Sequence, residues 1–321
     1  MKQIAFTALG QADLIETDQD QRPLASDEVA GPTLFSLISP GTELANYLGQ
    51  GGPFPIRPGY ASVFRVEQAG TGVEDLPVGS AAFCMGPHAA WQRVQRRNAL
   101  PLPAGLSPEV AAFARLMSVS MSTLTTTLAR PPAPVVITGL GPVGHLAAQI
   151  FAAAGYRVSG CDPVESRRKL LSAKGVEALA ALPLDQAGYQ DQIELVVECS
   201  GHEEAALGAC KLVRKQGEVV LVGAPWKQRS EAAAFALLHP VFFRFVTLRS
   251  GWEWELSMHP AEFRHNSIFG NIAGALDWLR QGRVRVEGLY QTASPAQAQE
   301  VFQDLLNRRT DYLTALFAWN A

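Results

Sequence analysis

The stretch Val135-Val-Ile-Thr-Gly-Leu-Gly-Pro-Val-Gly-His145 joins an apolar run to a glycine-rich turn. The apolar run is typical of a buried strand, and residues 143–155 have the spacing of an amphipathic helix. Gly139, Gly141 and Gly144 lie at the G-x-G-x-x-G spacing. The first glycine permits a tight turn, the second lets backbone approach a pyrophosphate, and the third allows close packing of helix on strand. The stretch therefore predicts a dinucleotide site with the pyrophosphate at the helix N-terminus.

The residues after this turn favour a complete βαβ unit. Residues 156–160 predict a second strand, and Asp162 follows it, about 20 residues after the glycines. A carboxylate at this position binds the ribose hydroxyls of the adenosine half, and its charge repels a 2′-phosphate. The sequence therefore favours NAD over NADP. Arg167 and Arg168 leave NADP open, because either guanidinium could meet such a phosphate.

The composition is that of a globular chain long enough for two domains. The 321 residues are 47% hydrophobic, and the net charge of −3 comes without a basic stripe, so nucleic acid is not indicated as a partner. Residues 1–14 lack the pattern of a signal peptide, and no long apolar run predicts a membrane span. The cysteines form no C-x-x-C pair, which suits a reducing compartment. We therefore expect a cytoplasmic protein.

Strand and turn signals divide the chain into two parts. Up to about residue 130, short strand-like runs alternate with prolines, which predicts a β-rich domain. Residues 108–128 predict a helix, and three prolines between 131 and 134 mark a boundary. Strands then alternate with helices, as in a parallel sheet covered on both faces. The later strands of this sheet are predicted at 193–198, 218–222 and 242–248.

The order of these parts resembles the medium-chain dehydrogenase/reductase superfamily, most clearly in the glycine stretch, Asp162, and residues 194–201 and 217–223. The resemblance implies an α/β fold. A GroES-like catalytic domain, residues 1–128 plus 259–321, would join a doubly wound Rossmann domain, residues 129–258, with the active site in the cleft between them. The implied cofactor-binding residues are Gly139, Leu140, Gly141, Pro142, Val143, Gly144, Asp162, Arg167, Cys199, Ser200, Gly201, Val222, Gly223 and Ala224.

The zinc ligands of this superfamily are missing from the matching positions. Zinc-dependent members carry a cysteine before a Gly-Thr-Asp-like turn and a histidine in a Gly-His-Glu turn. Here the segments read Ile38-Ser-Pro-Gly-Thr-Glu43 and Gly59-Tyr60-Ala61, and Cys84 stands alone in place of a four-cysteine lobe. Catalytic zinc needs about three protein ligands. The resemblance is therefore to a zinc-free member, with no metal site.

Among zinc-free members, the chain is similar to the bacteriochlorophyllide dehydrogenase branch. The similarity rests on residues 39–43, on Phe54-Pro-x-x-Pro-Gly-Tyr60 and on the segment from Leu313 to Trp319. That branch oxidises the hydroxyethyl side chain of a chlorophyll precursor with NAD. The resemblance thus implies a secondary alcohol on a bulky ring compound as one substrate class, although the motifs mark a sequence group more closely than a substrate.

Hydride transfer without a metal needs hydrogen-bond donors and a proton carrier at the substrate oxygen. Tyr60 takes the place of the missing histidine, and a phenol with an ordinary pKa near 10 needs a cationic neighbour to act as a base at neutral pH. By the resemblance, Thr42 falls where a relay hydroxyl lies, and Glu43 replaces the following aspartate. His88 is the fourth catalytic candidate.

Each of these four candidates also has a structural interpretation. Tyr60 could pack with its hydroxyl on backbone, and Thr42 could cap a turn or short helix. Glu43 could complete a turn or a salt bridge, and His88 could be a satisfied structural histidine. The sequence leaves both interpretations open.

Taken together, the residues predict a zinc-independent NAD(P)-dependent oxidoreductase acting on a secondary alcohol or carbonyl compound. One alternative is a zinc-free quinone or enoyl reductase that uses NADPH. Another is a nucleotide-binding protein without catalysis. The expected partner is a small-molecule substrate, and the resemblance also implies a homodimer.

Overall fold

The computed structural model describes residues 1–18, 20–264 and 266–319. Its contacts divide the chain into two compact units. The first unit contains Met1–Arg115, Leu276–Gln281 and Val286–Ala321, and the second contains Leu116–Ala275 and Gly282–Arg285.

By contacts, residues 116–128 and 259–275 group with the second unit, whereas the sequence assigned both segments to the first domain. Side-chain contacts give the physical reason. Leu124 packs against the apolar core of that unit, and the Thr127 hydroxyl donates a hydrogen bond to the carboxylate of Glu218 at 2.5 Å. The proline-rich stretch near 131 therefore does not mark where the contacts change.

The helices and strands alternate in the order expected for a β-rich part followed by an α/β part. The strands are β1 (Lys2–Ala8), β2 (Gln11–Glu16), β3 (Glu28–Leu37), β4 (Ser62–Arg65), β5 (Gln68–Ala69), β6 (Ala81–Cys84), β7 (Trp91–Gln95), β8 (Ala99–Pro101), β9 (Pro134–Thr138), β10 (Arg157–Cys161), β11 (Glu177–Leu179), β12 (Ile193–Glu198), β13 (Val213–Leu221), β14 (Thr247–Ser250), β15 (Tyr290–Ala293) and β16 (Thr314–Ala318). The α-helices are α1 (Pro40–Tyr47), α2 (Pro108–Ala111), α3 (Ala114–Thr126), α4 (Pro142–Ala153), α5 (Glu165–Ser172), α6 (Glu203–Leu212), α7 (Ala234–Phe243), α8 (Ile268–Arg280) and α9 (Ala298–Asn307).

The first unit is built around the long strand β3. Strands β4, β5, β7 and β16 all pair with it antiparallel, and the main sheet has the order β15-β16-β3-β4-β6-β8. Gly31 allows β3 to approach its neighbour, because a Cβ there would lie 1.7 Å from the carbonyl oxygen of Arg65. Phe6, Tyr47, Phe302 and neighbouring apolar side chains form one core of this unit.

The second unit is a parallel sheet of order β11-β10-β9-β12-β13-β14. The chain starts in the middle at β9, runs outward through β10 and β11, and then returns to β12 on the other side of β9. Residues Val135, Val136 and Ile137 of β9 are at most 1% exposed, as expected for a strand covered on both faces. The predicted doubly wound fold is therefore confirmed.

Two predicted elements differ from the structure. The segment predicted as a strand at 242–248 begins as the end of α7, and β14 starts only at Thr247. Leu237 and Val241, one helical turn apart, both pack on the apolar core of this unit, which explains the helix. The helix predicted at 108–128 is divided into α2 and α3.

Two further features concern the chemistry and location of the chain. All four cysteines are free thiols. Within the residues that the structure describes, none of the helices is both long and apolar enough to cross a lipid bilayer.

His145 in α4 predicts a specific sensitivity to acid. The imidazole is fully buried, and burial, with the nearby charge of Lys174, lowers its pKa to about 4. Its pKa in the unfolded chain is about 6.5. Above that pH both states are neutral, whereas at lower pH the unfolded state takes up the proton more readily. The free energy of unfolding should therefore fall by roughly 3 kcal/mol between about pH 6.5 and 4 through this residue.

Urea unfolding at pH 6.5, 5 and 4 measures this loss, and His145→Gln should reduce the pH slope over that window. The exposed His239 offers the matched variant His239→Gln, which should leave the slope unchanged. Equal slopes in the parent protein and His145→Gln would contradict the prediction.

Candidate functional site

The glycine turn between β9 and α4 is shaped by close backbone approach. Gly139 has φ +78°, and a Cβ there would lie 2.7 Å from the amide nitrogen of Ser200. At Gly144 a Cβ would lie 1.8 Å from the carbonyl oxygen of Gly139. Gly141, the N-cap of α4, differs from both, because a Cβ there would meet nothing within 4 Å. Two of these glycines are thus required by the fold, and the third faces open space.

The start of α4 suits an anionic group. Pro142 occupies the first helical turn, where its missing N–H costs no hydrogen bond. The backbone N–H groups of Val143 and Gly144 lie in the same turn, where helical amides have no partner within the helix. Together with the positive end of the helix dipole and the open space at Gly141, they form a cradle that fits a pyrophosphate.

Asp162 lies directly after β10 and is 3% exposed. One carboxylate oxygen, Oδ2, accepts a hydrogen bond from the Leu140 amide at 2.8 Å, and Oδ1 accepts one from the Val164 amide at 2.8 Å. Arg167 lies 3.4 Å from Oδ2. These contacts fix the carboxylate beside the glycine turn, where the sequence predicted the ribose-binding acid.

Arg168 is engaged differently from Arg167. Its guanidinium donates hydrogen bonds to the carbonyl oxygens of Asp162 and Pro163, at 2.8 and 2.7 Å. Since these bonds tie it to backbone, it is less available to a 2′-phosphate than the sequence allowed.

The loops after β12 and β13 meet through their backbones. The amides of Val222 and Gly223 both donate to the carbonyl oxygen of Glu198, at 2.8 and 2.7 Å. A Cβ on Gly223 would lie 2.2 Å from the amide nitrogen of Gly201. The predicted cofactor segments Cys199 to Gly201 and Val222 to Ala224 are therefore adjacent, at the carboxyl ends of neighbouring strands. They border a cavity of about 290 Å³ that is lined by Gly201, Gly223, Leu207, Leu221 and Leu237.

Glu198 organises this loop and was missed by the sequence analysis. Its buried side chain accepts hydrogen bonds from the amides of Ser200 and Gly201, at 2.7 and 3.1 Å, and from the Ser200 hydroxyl. Burial raises the pKa of this carboxyl, and these hydrogen bonds oppose the rise. A glutamate at a strand end followed by Cys-Ser-Gly was the available signal, because such turns need an acceptor for their free amides.

In the first unit, Tyr60 precedes β4 and is half-buried. Its phenol donates a hydrogen bond to the Ser39 hydroxyl at 2.6 Å. The guanidinium carbon of Arg115 lies 4.5 Å from the centre of the Tyr60 ring, which is within cation–π range. Burial raises the pKa of Tyr60, whereas the Arg115 charge and the hydrogen bonds with Ser39 and Thr42 oppose the rise. The phenol is therefore protonated at neutral pH.

Glu43 and His88 form a buried pair next to this tyrosine. His88 Nε2 lies 2.8 Å from Glu43 Oε2, and both side chains are at most 1% exposed. The other oxygen of Glu43 accepts a hydrogen bond from the Ser39 amide at 2.7 Å, which caps the start of α1. His88 Nδ1 lies 2.8 Å from the Ser36 hydroxyl. This geometry matches the structural interpretation of Glu43 and His88, because the two side chains are each other's hydrogen-bond partners.

The structure thus brings all four predicted catalytic candidates to one place around the N-terminus of α1. Tyr60 and Thr42 contribute hydroxyl groups there, and the Glu43–His88 pair holds the turn at the start of α1. Sequence reasoning missed Arg115, because nothing near it in the chain indicates that it lies over a ring 55 positions earlier. Ser39, which is followed by a proline, was recognisable as an N-cap.

The donor set around Tyr60 does not fit a catalytic zinc ion. Both ring nitrogens of His88 are engaged by Glu43 and Ser36. Burial raises the pKa of the Cys84 thiol to about 12, whereas zinc binds the thiolate. Across residues 1–18, 20–264 and 266–319, no group of three or more His, Cys, Asp or Glu side chains could hold a metal ion.

Comparison of sequences relates part of the chain to dehydrogenases. Residues 142–255 match the family model for zinc-binding dehydrogenases. The chain is 28% identical over 135 residues to 2-dehydro-3-deoxy-L-galactonate 5-dehydrogenase of Pseudoalteromonas atlantica, covering 40% of each protein. It is 27% identical over 147 residues to sorbitol dehydrogenase of Halalkalibacterium halodurans, covering 43% of each. The matched region thus spans less than half the length of these curated relatives.

Comparison of structures extends over the whole chain. Galactitol-1-phosphate dehydrogenase from Escherichia coli superposes with a TM-score of 0.85 at 19% identity, covering 99% of this chain and 100% of that one. Acetophenone reductase from Geotrichum candidum, in complex with NAD, gives 0.77 at 18% identity, covering 99% and 96%. The chain has the fold of the medium-chain dehydrogenases. A Sinorhizobium meliloti protein solved with NADP gives 0.80 at 18% identity, covering 99% and 98%, so the likeness does not distinguish the two cofactors.

Gly141 offers a test of the nucleotide cradle that leaves the fold intact. In Gly141→Ala the added methyl group meets no protein atom but projects into the space assigned to the pyrophosphate. We expect the dissociation constant for NADH to rise at least about tenfold, which corresponds to about 1.4 kcal/mol, while the unfolding midpoint falls only slightly, because alanine is a poorer helix N-cap than glycine. Fluorescence titration and thermal unfolding measure the two quantities.

Gly188→Ala is the matched control, because a Cβ at Gly188 also meets nothing within 4 Å and this loop lies away from the turn. It should bind NADH like the parent protein. If Gly141→Ala binds NADH with undiminished affinity, the pyrophosphate does not lie where we place it.

The Glu43–His88 pair predicts a large effect on stability. Glu43→Ala leaves a buried imidazole and the Ser39 amide without their acceptor, and breaking a buried pair costs about 3 kcal/mol or more. Denaturant unfolding should show this loss. The exposed Glu74 provides the control Glu74→Ala, for which we expect a change within about 0.5 kcal/mol. Similar stabilities of the two variants would show that the pair does not hold α1 in place.

Proposed function

We propose that this protein is an NAD(P)(H)-dependent oxidoreductase that transfers a hydride between nicotinamide and a secondary alcohol or carbonyl compound. The observation that carries the proposal is the nucleotide cradle, in which Gly141 leaves open space beside the buried carboxylate of Asp162. The similarity to proteins named as dehydrogenases of sugar acids and polyols supports the same reaction class.

The residues of the second unit would hold the cofactor. The amides at the start of α4 would bind the pyrophosphate, and Asp162, with Arg167 beside it, would bind the adenosine ribose. We propose NAD as the preferred cofactor, because the Asp162 carboxylate disfavours a 2′-phosphate and Arg168 is bound to backbone carbonyls. When bound, the reduced cofactor supplies the hydride.

We further propose that the reaction does not use zinc. Tyr60, Ser39 and Thr42 offer hydroxyl groups where zinc-dependent relatives of this fold would need metal ligands, and His88 is committed to Glu43 and Ser36. Hydrogen-bond donors aimed at the substrate oxygen can stabilise the charge that develops there.

In the reducing direction, Tyr60 Oη donates its proton to the carbonyl oxygen as the carbonyl carbon accepts the hydride. The O–H bond of Tyr60 breaks and the O–H bond of the product alcohol forms. The hydroxyls of Ser39 and Thr42 can then donate hydrogen bonds to the tyrosinate, because a hydroxyl both donates and accepts. Oxidation of the alcohol runs these steps in reverse.

The raised pKa of Tyr60 determines the pH dependence of each direction. Since the phenol stays protonated to pH values above its ordinary pKa of about 10, reduction should not lose its proton donor across the neutral range. Oxidation needs the deprotonated form, so its rate should increase as the pH rises from 7 towards 10.

Polyols and sugar acids are the first substrates to test, because the names of the relatives point to them. A ring compound bearing a hydroxyethyl group, as the bacteriochlorophyllide branch would use, is a finer proposal. Exposed indole faces at Trp226 and Trp252 offer flat apolar surface of the kind that binds such rings. A panel of both classes distinguishes the two.

The decisive experiment compares the parent protein with Tyr60→Phe, which removes only the hydroxyl. Reduced-nicotinamide absorbance is followed with NAD⁺ and alcohols, and with NADH and carbonyl compounds. We expect the variant to lose about 100-fold or more in kcat, the usual contribution of a general acid or base, with NADH affinity unchanged. Tyr312→Phe, another half-buried tyrosine of the first unit, is the control and should remain active.

Other outcomes favour the alternative functions. Full activity of Tyr60→Phe would remove the proton-carrier role. Tighter binding of NADPH than of NADH, with turnover of quinones or enones, would favour a zinc-free reductase of that type. Clear NADH binding without turnover of any substrate would favour a nucleotide-binding protein without catalysis.

A further inference from the structure

We propose that Arg115 is a positioning residue for the reaction, one that holds the Tyr60 ring in place and stabilises its deprotonated form. The inference rests on the proposed function of Tyr60 and extends it to a residue that no motif indicates. It starts from the contact between the Arg115 guanidinium and the face of the Tyr60 ring, 4.5 Å from the ring centre.

The charge of Arg115 opposes the effect of burial on Tyr60. Burial disfavours a tyrosinate, and so does the nearby carboxylate of Glu43. Hydrogen bonds from Ser39 and Thr42 favour it, and Arg115 is the cation among these groups. A guanidinium keeps its charge on burial and stacks on aromatic faces. Arg115 therefore lowers the free-energy cost of removing the Tyr60 proton, a cost that burial raises.

The position of Arg115 is fixed by its neighbours in the chain. It lies in the first turn of α3 and is 1% exposed. Phe113, two residues before Arg115, is fully buried and packs against Tyr290 with the ring centres 5.2 Å apart. Because this anchor limits the movement of the backbone, the guanidinium is held over the ring before any substrate binds.

The contact also restricts the ring itself. Arg115 on one face and the hydrogen bond from the phenol to Ser39 fix both the plane of the ring and the direction of its hydroxyl. Prearranged donors of this kind need no reorganisation when charge develops during the reaction. Loss of Arg115 should therefore affect kcat more than KM.

The test measures the ionisation of Tyr60 directly, without turnover. Protein is labelled with 3,5-difluorotyrosine, whose phenol ionises at lower pH than that of tyrosine, and its ¹⁹F resonances are followed against pH. The Tyr60 resonance is assigned by its loss in Tyr60→Phe. We compare the parent protein, Arg115→Met and Arg115→Lys, with thermal unfolding to establish that each is folded.

In Arg115→Met we expect the pKa of residue 60 to rise by about one unit or more, because an opposite charge at this distance typically lowers a pKa by one to three units. Arg115→Lys should restore most of the shift, since lysine also carries a charge. Arg97→Met removes the same charge from an exposed position and should leave residue 60 unchanged. In the oxidation assay, Arg115→Met should move the rise of kcat with pH upward by the same amount.

The inference would be overturned by an unmoved pKa of residue 60 in folded Arg115→Met, or by lysine failing to restore a shift that methionine causes. If Arg115→Met does not fold, Arg115→Gln is compared with Arg115→Lys, and equal pKa values in these two variants also overturn it. If Arg115→Met shifts the pKa of residue 60 but Tyr60→Phe turns over at the full rate, the proposed function of Tyr60 is wrong, while the effect of Arg115 on the phenol is retained. If Arg115→Met leaves the pKa of residue 60 unmoved and Tyr60→Phe is inactive, the inference about Arg115 is wrong and the proposed function of Tyr60 is retained.

Discussion

Backbone-to-backbone contact at the carboxyl ends of β9, β12 and β13 is the constraint on which the second unit depends. Gly139 approaches Ser200, Gly144 approaches Gly139, and Gly223 approaches Gly201, each closely enough that a Cβ would collide with main-chain atoms. The main chains therefore lie in direct contact at the point where the strand order reverses. Backbone amides at the start of α4 are the groups there that suit an anionic ligand.

Carboxylates at two strand ends complete this arrangement in the same way. Asp162 accepts amides of the first turn and of its own loop, and Glu198 accepts amides of the following turn. Each takes up backbone donors that would otherwise be buried without partners, which is costly. The cradle is therefore preformed by contacts internal to the unit, so little ordering is left for the ligand to bring about.

In the first unit, the proposed proton carrier Tyr60 lies in a partly buried setting. Glu43 and His88 hydrogen-bond to each other, and Glu43 also holds the Ser39 amide at the start of α1. Arg115 supplies the positive charge that balances burial at Tyr60. The Glu43–His88 pair and Arg115 therefore have separate roles. Removing the pair should lower stability, whereas removing the Arg115 charge should affect proton transfer.

What the sequence predicted and what it missed follow from the range of the interactions involved. The glycine spacing, Asp162 and the strand at 193–198 are local patterns, and the structure has them where the sequence indicated. The contact of Arg115 with Tyr60 joins distant segments and leaves no local signal. At α7, an apolar run looked like a strand because periodicity alone does not separate a short buried strand from a buried helix.

The constraint on Gly141 differs from the constraint on Gly139 and Gly144. Gly139 and Gly144 are required by the packing of the turn itself, whereas at Gly141 the protein has room for a methyl group. Selection for folding constrains this position only weakly, through the preference of a helix N-cap for glycine over alanine. Under the proposed function, a descendant of this chain that lost nucleotide binding would be expected to change residue 141 first, while the other two glycines persisted. The residue at this position would then distinguish descendants that bind the nucleotide from those that do not.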